Sequence, residues 1–104
     1  MKKPLDCLLT LVCHQSMEEL LVSLLLEHPE LVSGFSVRHI EGGSQKEILH
    51  SMMEQVRGRS RRVELCSVMN LEDAHELVAH LKESASNPEV AYWITPVIEF
   101  GRLA

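Results

Sequence analysis

Positive charge is concentrated in one short stretch of an otherwise acidic chain. The chain has 104 residues, a formal net charge of −5 and ten Lys and Arg residues. Four of these ten lie within six positions: Arg57, Arg59, Arg61 and Arg62. Guanidinium groups bind carboxylates and phosphates through paired hydrogen bonds, so the cluster predicts an anionic ligand or an acidic protein surface. The alternative is a solvated cluster paired with Glu41, Glu54 and Glu64.

A second set of residues carries soft donor atoms. It comprises Cys13, His14, His50 and Met52. Thiolate, imidazole and thioether groups suit Cu(I), Ag(I) or Zn, so these residues would fit a small metal-binding protein. The sequence contains no C-x-x-C or H-x-x-x-H pattern, and cysteines in apolar strands usually pack as small hydrophobic residues. Both interpretations stay open at this point.

Several other function classes are disfavoured. No Ser/His/Asp set, Cys/His set or carboxylate pair has supporting motif context, so we expect the protein not to be an enzyme. A pI near 5.6 argues against nucleic acid as a partner, because proteins bind phosphate backbones through a basic surface. No apolar run approaches the roughly 20 residues of a membrane span, so we expect no membrane insertion.

The cysteine content bears on the cellular compartment. The chain has three cysteines, an odd number without the spacing of a disulfide framework. Reduced thiols are typical of cytoplasmic proteins, so we expect the protein in the cytoplasm.

The apolar pattern predicts six elements. A continuous apolar run at 5–13 is typical of a central strand, and Ser16 is the expected N-cap of a helix that Pro29 ends. Alternation around Phe35 and Val37 predicts a second strand with one face buried. The remaining elements are a strand over 62–69, a helix that Asn70 caps and that runs to about residue 84, and a strand over 90–100.

This order is β-α-β-β-α-β, which predicts an α+β, ferredoxin-like sandwich. Its four-stranded sheet is antiparallel, with both helices on one face and residues 1–104 in a single domain. Pro96 cannot donate a backbone hydrogen bond, so the last strand is expected at a sheet edge.

The other sheet face would then be open and largely apolar. Alternation places five side chains on it: Leu8, Thr10, Val12, Cys66 and Val68. Small soluble monomers rarely leave such a face bare, so we expect self-association through it.

The connection between the second and third strands, at about 42–60, is longer than a hairpin needs. Two to five residues suffice for a tight hairpin, whereas long connections in compact domains are usually functional or disordered. This one opens with Gly42 and Gly43 and contains the arginine cluster. The sequence therefore predicts a loop that binds a ligand or a partner.

Three segments resemble the PII-like superfamily of nitrogen regulatory proteins: LVSGFSV, EQVRGRSRRVEL and VAYWITPVIEFGRL. They are most similar to an uncharacterised proteobacterial set, the PII-like "new group", whose genes tend to lie beside heavy-metal efflux genes. The resemblance implies a homotrimer that acts in signal transduction, and a long loop that engages a membrane transporter or another protein. The residues expected to bind the ligand or partner are Gly42, Gly43, Glu54, Arg57, Gly58, Arg59, Arg61 and Arg62.

The sequence departs from the nucleotide-binding members between the second helix and the last strand. Those members carry a glycine-rich, basic loop there, whereas this chain has ESASNP at 83–88. This segment has no glycine and few backbone donors free to cradle a phosphate. We therefore expect no tight binding of ATP or ADP. The sequence indicates no cofactor apart from the metal ion that the soft donor atoms would bind.

Overall fold

The computed structural model describes residues 3–43 and 59–104. Strand β1 spans Cys7–His14, and a 3-10 helix (Gln15–Met17) leads directly into helix α1, Glu18–Leu26. The remaining elements are β2 (Ser36–Gly42), β3 (Ser60–Met69), helix α2 (Leu71–Ser84) and β4 (Ala91–Pro96). The predicted α+β, ferredoxin-like fold is confirmed.

The four strands of the described chain form one antiparallel sheet in the order β2-β3-β1-β4. β1 pairs along its whole length with β3 and over Cys7–Val12 with β4. Its alternate residues Leu9, Leu11 and Cys13 belong to the core, together with Leu21 of α1 and Leu77 of α2. β1 is therefore a central strand, as its unbroken apolar run predicted, and the helices cover one of its two faces.

β4 lies at a sheet edge, as the proline predicted. Its only strand neighbour in the described chain is β1, and Pro96 is its last residue. The chain then leaves the sheet, with the Val97 amide donating to the Asp6 carbonyl at 3.0 Å.

Strand β2 differs from the sequence prediction. We expected one buried face, yet Val37 is 38% exposed. β2 is the opposite edge of the sheet, where a strand has a neighbour on one side only. His39 marks the helix side of this strand, because its Nε2 lies 2.8 Å from Oε1 of Glu18 at the start of α1.

The two predicted helix caps have different outcomes. Asn70 caps α2, because its Oδ1 accepts from the amides of Glu72 and Asp73. The prediction that Ser16 caps α1 was wrong. The 3-10 turn intervenes, so His14 Nδ1 accepts from the Ser16 amide at 3.1 Å, and Met17 occupies the N-cap position of α1 without a side-chain bond.

The sheet face away from the helices is less bare than its sequence suggested. Thr10 and Val12 are buried, while Leu8, Cys66 and Val68 are half-buried. Thr10 has Trp93 of β4 as its register partner, and cross-strand partners point to the same face. This open face consists of a shielded centre and a partly exposed border.

No helix within the described residues has both the length and the apolar character needed to cross a bilayer.

We predict that Asn70→Ala lowers the free energy of unfolding by about 1–2 kcal/mol, because two amides at the start of α2 lose their acceptor. The bond from Asn70 Nδ2 to the Pro4 carbonyl is lost as well. Ser16→Ala is the matched control and should lower the free energy of unfolding by less than about 0.5 kcal/mol. Urea unfolding at equal protein concentration measures both, and equal losses would contradict the assigned caps.

Candidate functional site

The candidate site lies where the long connection leaves and re-enters the sheet. We call residues 41–43 and 59–62 the loop base. The β2–β3 ladder is continuous to its last pair, Gly42 with Ser60. Both ends of the connection are therefore fixed by a hydrogen-bonded ladder.

Within the loop base, an arginine packs against a glycine. A Cβ atom at Gly42 would lie 2.8 Å from Cδ and 2.9 Å from Nε of Arg62, so only glycine fits this position without displacing the arginine. Arg62 Nε donates to Ser60 Oγ at 3.1 Å, and that hydroxyl donates to the Gly42 carbonyl at 3.4 Å. Ser60 is 1% exposed, so the hydroxyl at the centre of this chain of bonds is shielded from water, while Gly42 and Arg62 at its ends are half-buried.

The other loop-base arginines lie on the surface. Arg59 Nε lies 3.2 Å from Oε2 of Glu41, and both side chains are substantially exposed. Ion pairs of this kind contribute roughly 0–1 kcal/mol, so this contact can be exchanged for another carboxylate at little cost. Arg61 is the register partner of Glu41 and is also exposed.

The structure therefore brings together five of the predicted binding residues: Gly42, Gly43, Arg59, Arg61 and Arg62. The other three, Glu54, Arg57 and Gly58, lie outside the described residues, as do the predicted metal ligands His50 and Met52. Their roles stay predictions.

The remaining metal candidates, Cys13 and His14, are not brought together. They are consecutive residues of β1, so their side chains point to opposite sheet faces. Burial raises the pKa of the Cys13 thiol to about 11, with a contribution from the charge of Glu18, which opposes the thiolate that metals bind. Nδ1 of His14 is engaged by the Ser16 amide and hydroxyl. Across 3–43 and 59–104, no group of three or more His, Cys, Asp or Glu side chains is placed to hold a metal ion.

A cleft that the sequence did not predict lies at the border of the open face. Its volume is about 500 Å³. The C-terminal residues Phe100 and Arg102 form one wall, and Phe35, Cys66 and Val68 belong to the rest of the lining. The Arg102 guanidinium carbon lies 6.0 Å from the centre of the Phe100 ring. In the sequence, the cleft is indicated only by an arginine in an apolar C-terminal stretch. Which residues this arginine contacts depends on the tertiary structure.

The free thiol in this cleft is also held protonated. Desolvation raises the pKa of Cys66 above its ordinary value, and the bond from its Sγ to Glu64 Oε1 at 3.4 Å acts in the same direction. Thr10 Oγ1, at 3.8 Å, acts in the opposite direction. The lining of the cleft thus combines Cys66 and Arg102 with the serines Ser33, Ser36 and Ser67, and the Ser67 hydroxyl is engaged, since it donates to the Gly34 carbonyl at 2.6 Å.

The connection between α2 and β4 uses its own amides. The Glu89 amide donates to Asn87 Oδ1 at 2.8 Å, and the Val90 amide donates to the Asn87 carbonyl at 3.1 Å. These two donors are consumed within the turn and do not converge on a ligand.

Comparison with known proteins identifies the family and fold of the chain. A family model described as "Protein of unknown function (DUF3240)" matches residues 4–104. A comparison with curated proteins found no match. The crystal structure of a DUF3240 family protein from Shewanella baltica is similar, with a TM-score of 0.76 and 22% identity over 97% of this chain and 99% of that chain.

Two PII-like proteins share the fold at lower identity. A putative PII-like signalling protein from Thermus thermophilus has a TM-score of 0.63 and 18% identity, covering 88% of this chain and 86% of that one. CPII, a nitrogen regulatory PII-like protein from Thiomonas intermedia bound to ADP, AMP and bicarbonate, has a TM-score of 0.70 and 11% identity, covering 95% and 96%.

We predict that Gly42→Ala has a free energy of unfolding about 0.5–1 kcal/mol lower than Gly34→Ala, because its methyl group displaces the end of the Arg62 side chain while both variants restrict the unfolded chain equally. Gly34→Ala is the control, since a Cβ there meets nothing within 4 Å, and it should change stability by less than about 0.5 kcal/mol.

A double-mutant cycle with Arg62→Ala isolates the contact. In the Arg62→Ala background, Gly42→Ala should lower the free energy of unfolding only slightly, which gives a coupling energy of about 1 kcal/mol. A coupling near zero would show that Gly42 does not constrain Arg62.

Proposed function

We propose that the chain, which belongs to the DUF3240 family of proteins of unknown function, is a PII-like regulatory protein in signal transduction and not an enzyme. Its 42–60 segment would contact a partner protein. The observation that carries this proposal is the loop base, where a continuous ladder and a partly buried serine–arginine contact hold both ends of the segment. The similarity in fold to PII-like proteins supports a regulatory role.

The chemistry of the loop base favours an acidic surface on the partner. Arg59 and Arg61 are exposed, and the ion pair of Arg59 with Glu41 is weak enough to be exchanged. Since the chain as a whole carries a net charge of −5, this local positive charge would orient the approach of an acidic partner. A cytoplasmic region of a heavy-metal efflux component, or of another membrane transporter, is the partner class we propose.

Self-association is the second part of the proposal. Leu8, Cys66 and Val68 leave part of the open face in contact with solvent, and burial against other copies would cover it. The assembly we propose is a homotrimer in the cytoplasm.

To test the partner contact, Arg59→Gln/Arg61→Gln would be compared with the native chain in affinity purification from the source cells. Lys3→Gln/Lys82→Gln is the charge-matched control, because it removes two positive charges elsewhere on the surface. We expect a specific captured protein to be lost with the loop-base variant and kept with the control. Binding of that purified protein should weaken by roughly tenfold or more, as loss of two charge-assisted contacts implies.

Retention of every captured protein by the loop-base variant would contradict the proposed contact. Loss with both variants would show that only overall charge matters, which contradicts it equally.

We also predict that ATP and ADP bind no more tightly than about 100 μM at physiological salt. A phosphate group needs converging amides and cations, whereas the α2–β4 turn consumes the Glu89 and Val90 amides internally. Arg102 is the one guanidinium that lines the described cleft. Titration calorimetry measures the constant, and a low-micromolar value would contradict the prediction and would mean that the C-terminal GRLA or a second copy supplies the missing donors.

A further inference from the structure

An apolar hollow lies between the two helices and the start of β4, and its volume is about 120 Å³. Its inner end is formed by Leu11 of β1 and Leu21 of α1, which are 3% and 2% exposed. The other apolar side chains of the lining come from α2, the turn that follows it and β4: Val78, Leu81, Ala85, Val90 and Tyr92. Because Tyr92 is 43% exposed, the hollow reaches from the surface of the chain to its core.

A positive charge lies where the hollow meets solvent. Lys82, in the last turn of α2, is exposed and belongs to the lining. Its ammonium lies 5.5 Å from the centre of the Tyr92 ring, and the ion pairs within residues 3–43 and 59–104 include none with Lys82. A cation–π contact leaves the charge of the ammonium in place, so the hollow offers a cation to an anionic ligand.

The second polar side chain of the lining is Asn87, whose amide group has a defined orientation. Its Oδ1 accepts from the Glu89 backbone amide at 2.8 Å, so the other end of the group carries the donor. That donor, Nδ2, has Sδ of Met17 as its acceptor at 3.8 Å, and a thioether sulfur is a weak acceptor. An anionic oxygen would give Nδ2 a stronger bond.

The volume of the hollow limits the apolar group that it can hold. An apolar cavity of roughly 150 Å³ stays dry and binds benzene, so a hollow slightly smaller than this suits a branched group of about four or five carbons. Water is a poor occupant of the inner end, because Leu11 and Leu21 offer it no side-chain partner.

The polar groups of the lining limit the charge of the ligand. The hollow has one ammonium and one side-chain amide, which together match a single carboxylate. A phosphate would need converging backbone amides, and those of Glu89 and Val90 are already used within the turn.

We propose that the hollow binds a small monocarboxylate, whose branched aliphatic end fills the space beside Leu11 and Leu21 and whose carboxylate contacts Lys82 and Asn87. The hollow lies beside β4 and the loop base beside β2, at opposite edges of the sheet. This proposal therefore rests neither on the partner protein nor on self-association. An aliphatic side chain of a second copy is the less suitable occupant, because it would bring no charge to Lys82.

The first experiment is a titration of the full chain with 3-methylbutanoate, followed by methyl NMR. We expect saturable shifts with a dissociation constant of roughly 1 mM, as suits so small a ligand. The shifts should be confined to the methyl-bearing residues of the lining: Leu11, Leu21, Val78, Leu81, Ala85 and Val90.

The charge contact is tested with Lys82→Gln. This variant should bind 3-methylbutanoate roughly fivefold more weakly, because it loses a charge-assisted contact that solvent partly screens. The uncharged 3-methylbutan-1-ol should bind Lys82→Gln and the native chain alike, which separates the loss of charge from a change in shape. Lys3→Gln is the charge-matched control, since Lys3 pairs with Asp73 outside the hollow, and it should bind the carboxylate as the native chain does.

The place of binding is tested with Ala85→Leu, which puts a larger side chain into the lining. It should abolish the shifts from both probes, because the added atoms occupy the hollow. The methyl signals of Val63 and Leu65 on β3, outside the lining, show whether the variant keeps its fold.

Four results would overturn the proposal. Shifts that do not saturate, or equal affinity of the native chain for the acid and the alcohol, exclude the proposed ligand class. Equal weakening by Lys3→Gln shows that only overall charge matters. Native-like binding to a folded Ala85→Leu variant places the probe elsewhere. Shifts of the lining methyl groups on dilution of the native chain without probe show that another copy occupies the hollow.

Discussion

The double pairing of β1 is the interaction on which the rest of the structure depends. Cys7–His14 pairs with β3 on one side, and Cys7–Val12 pairs with β4 on the other. A strand in this position pairs its backbone groups with neighbours on both edges, and it can be apolar throughout because its side chains are buried on both faces. Leu9, Leu11 and Cys13 pack under the helices, while Thr10 and Val12 are shielded on the opposite face.

This central position of β1 leaves β2 and β4 as the two edges of the sheet, and the loop base lies at the end of β2. The loop base joins the end of β2 to the start of β3, and the C-terminal segment continues from β4. Edge strands have unpaired backbone groups and exposed side chains, so they can change or bind partners without disturbing the core. The paired centre of the sheet thus holds the loop base in place, while the side chains of Arg59 and Arg61 stay exposed.

Burial also decides the chemistry of the sulfur atoms. Desolvation is the largest cause of the raised pKa of all three thiols, Cys7, Cys13 and Cys66. A thiol that stays protonated at neutral pH is a poor nucleophile and a poor metal ligand. The packing of the strands therefore favours a structural role for the cysteines over the metal-binding alternative, since Cys13 lies in the core and His14 on the other face.

The sequence by itself determined the order of the elements, the fold class, the central and edge positions of β1 and β4, and the Asn70 cap. These depend on local patterns: an unbroken apolar run, a proline in a strand, and an amide side chain before acidic residues. It also located the loop base, because glycines and arginines next to strand patterns are visible along the chain.

Only the tertiary structure decided the contacts between residues that are distant in sequence. The packing of Arg62 on Gly42, the approach of Phe100 and Arg102 to Val68, and the hollow between α1, α2 and β4 each join separate elements. The Ser16 prediction failed for a related reason: a 3-10 turn over Gln15–Met17 follows the strand, with His14 Nδ1 accepting from the Ser16 amide, so the helix begins later and Met17 takes the N-cap position. Local pattern fixes which element a residue belongs to, whereas its neighbours depend on how the elements pack.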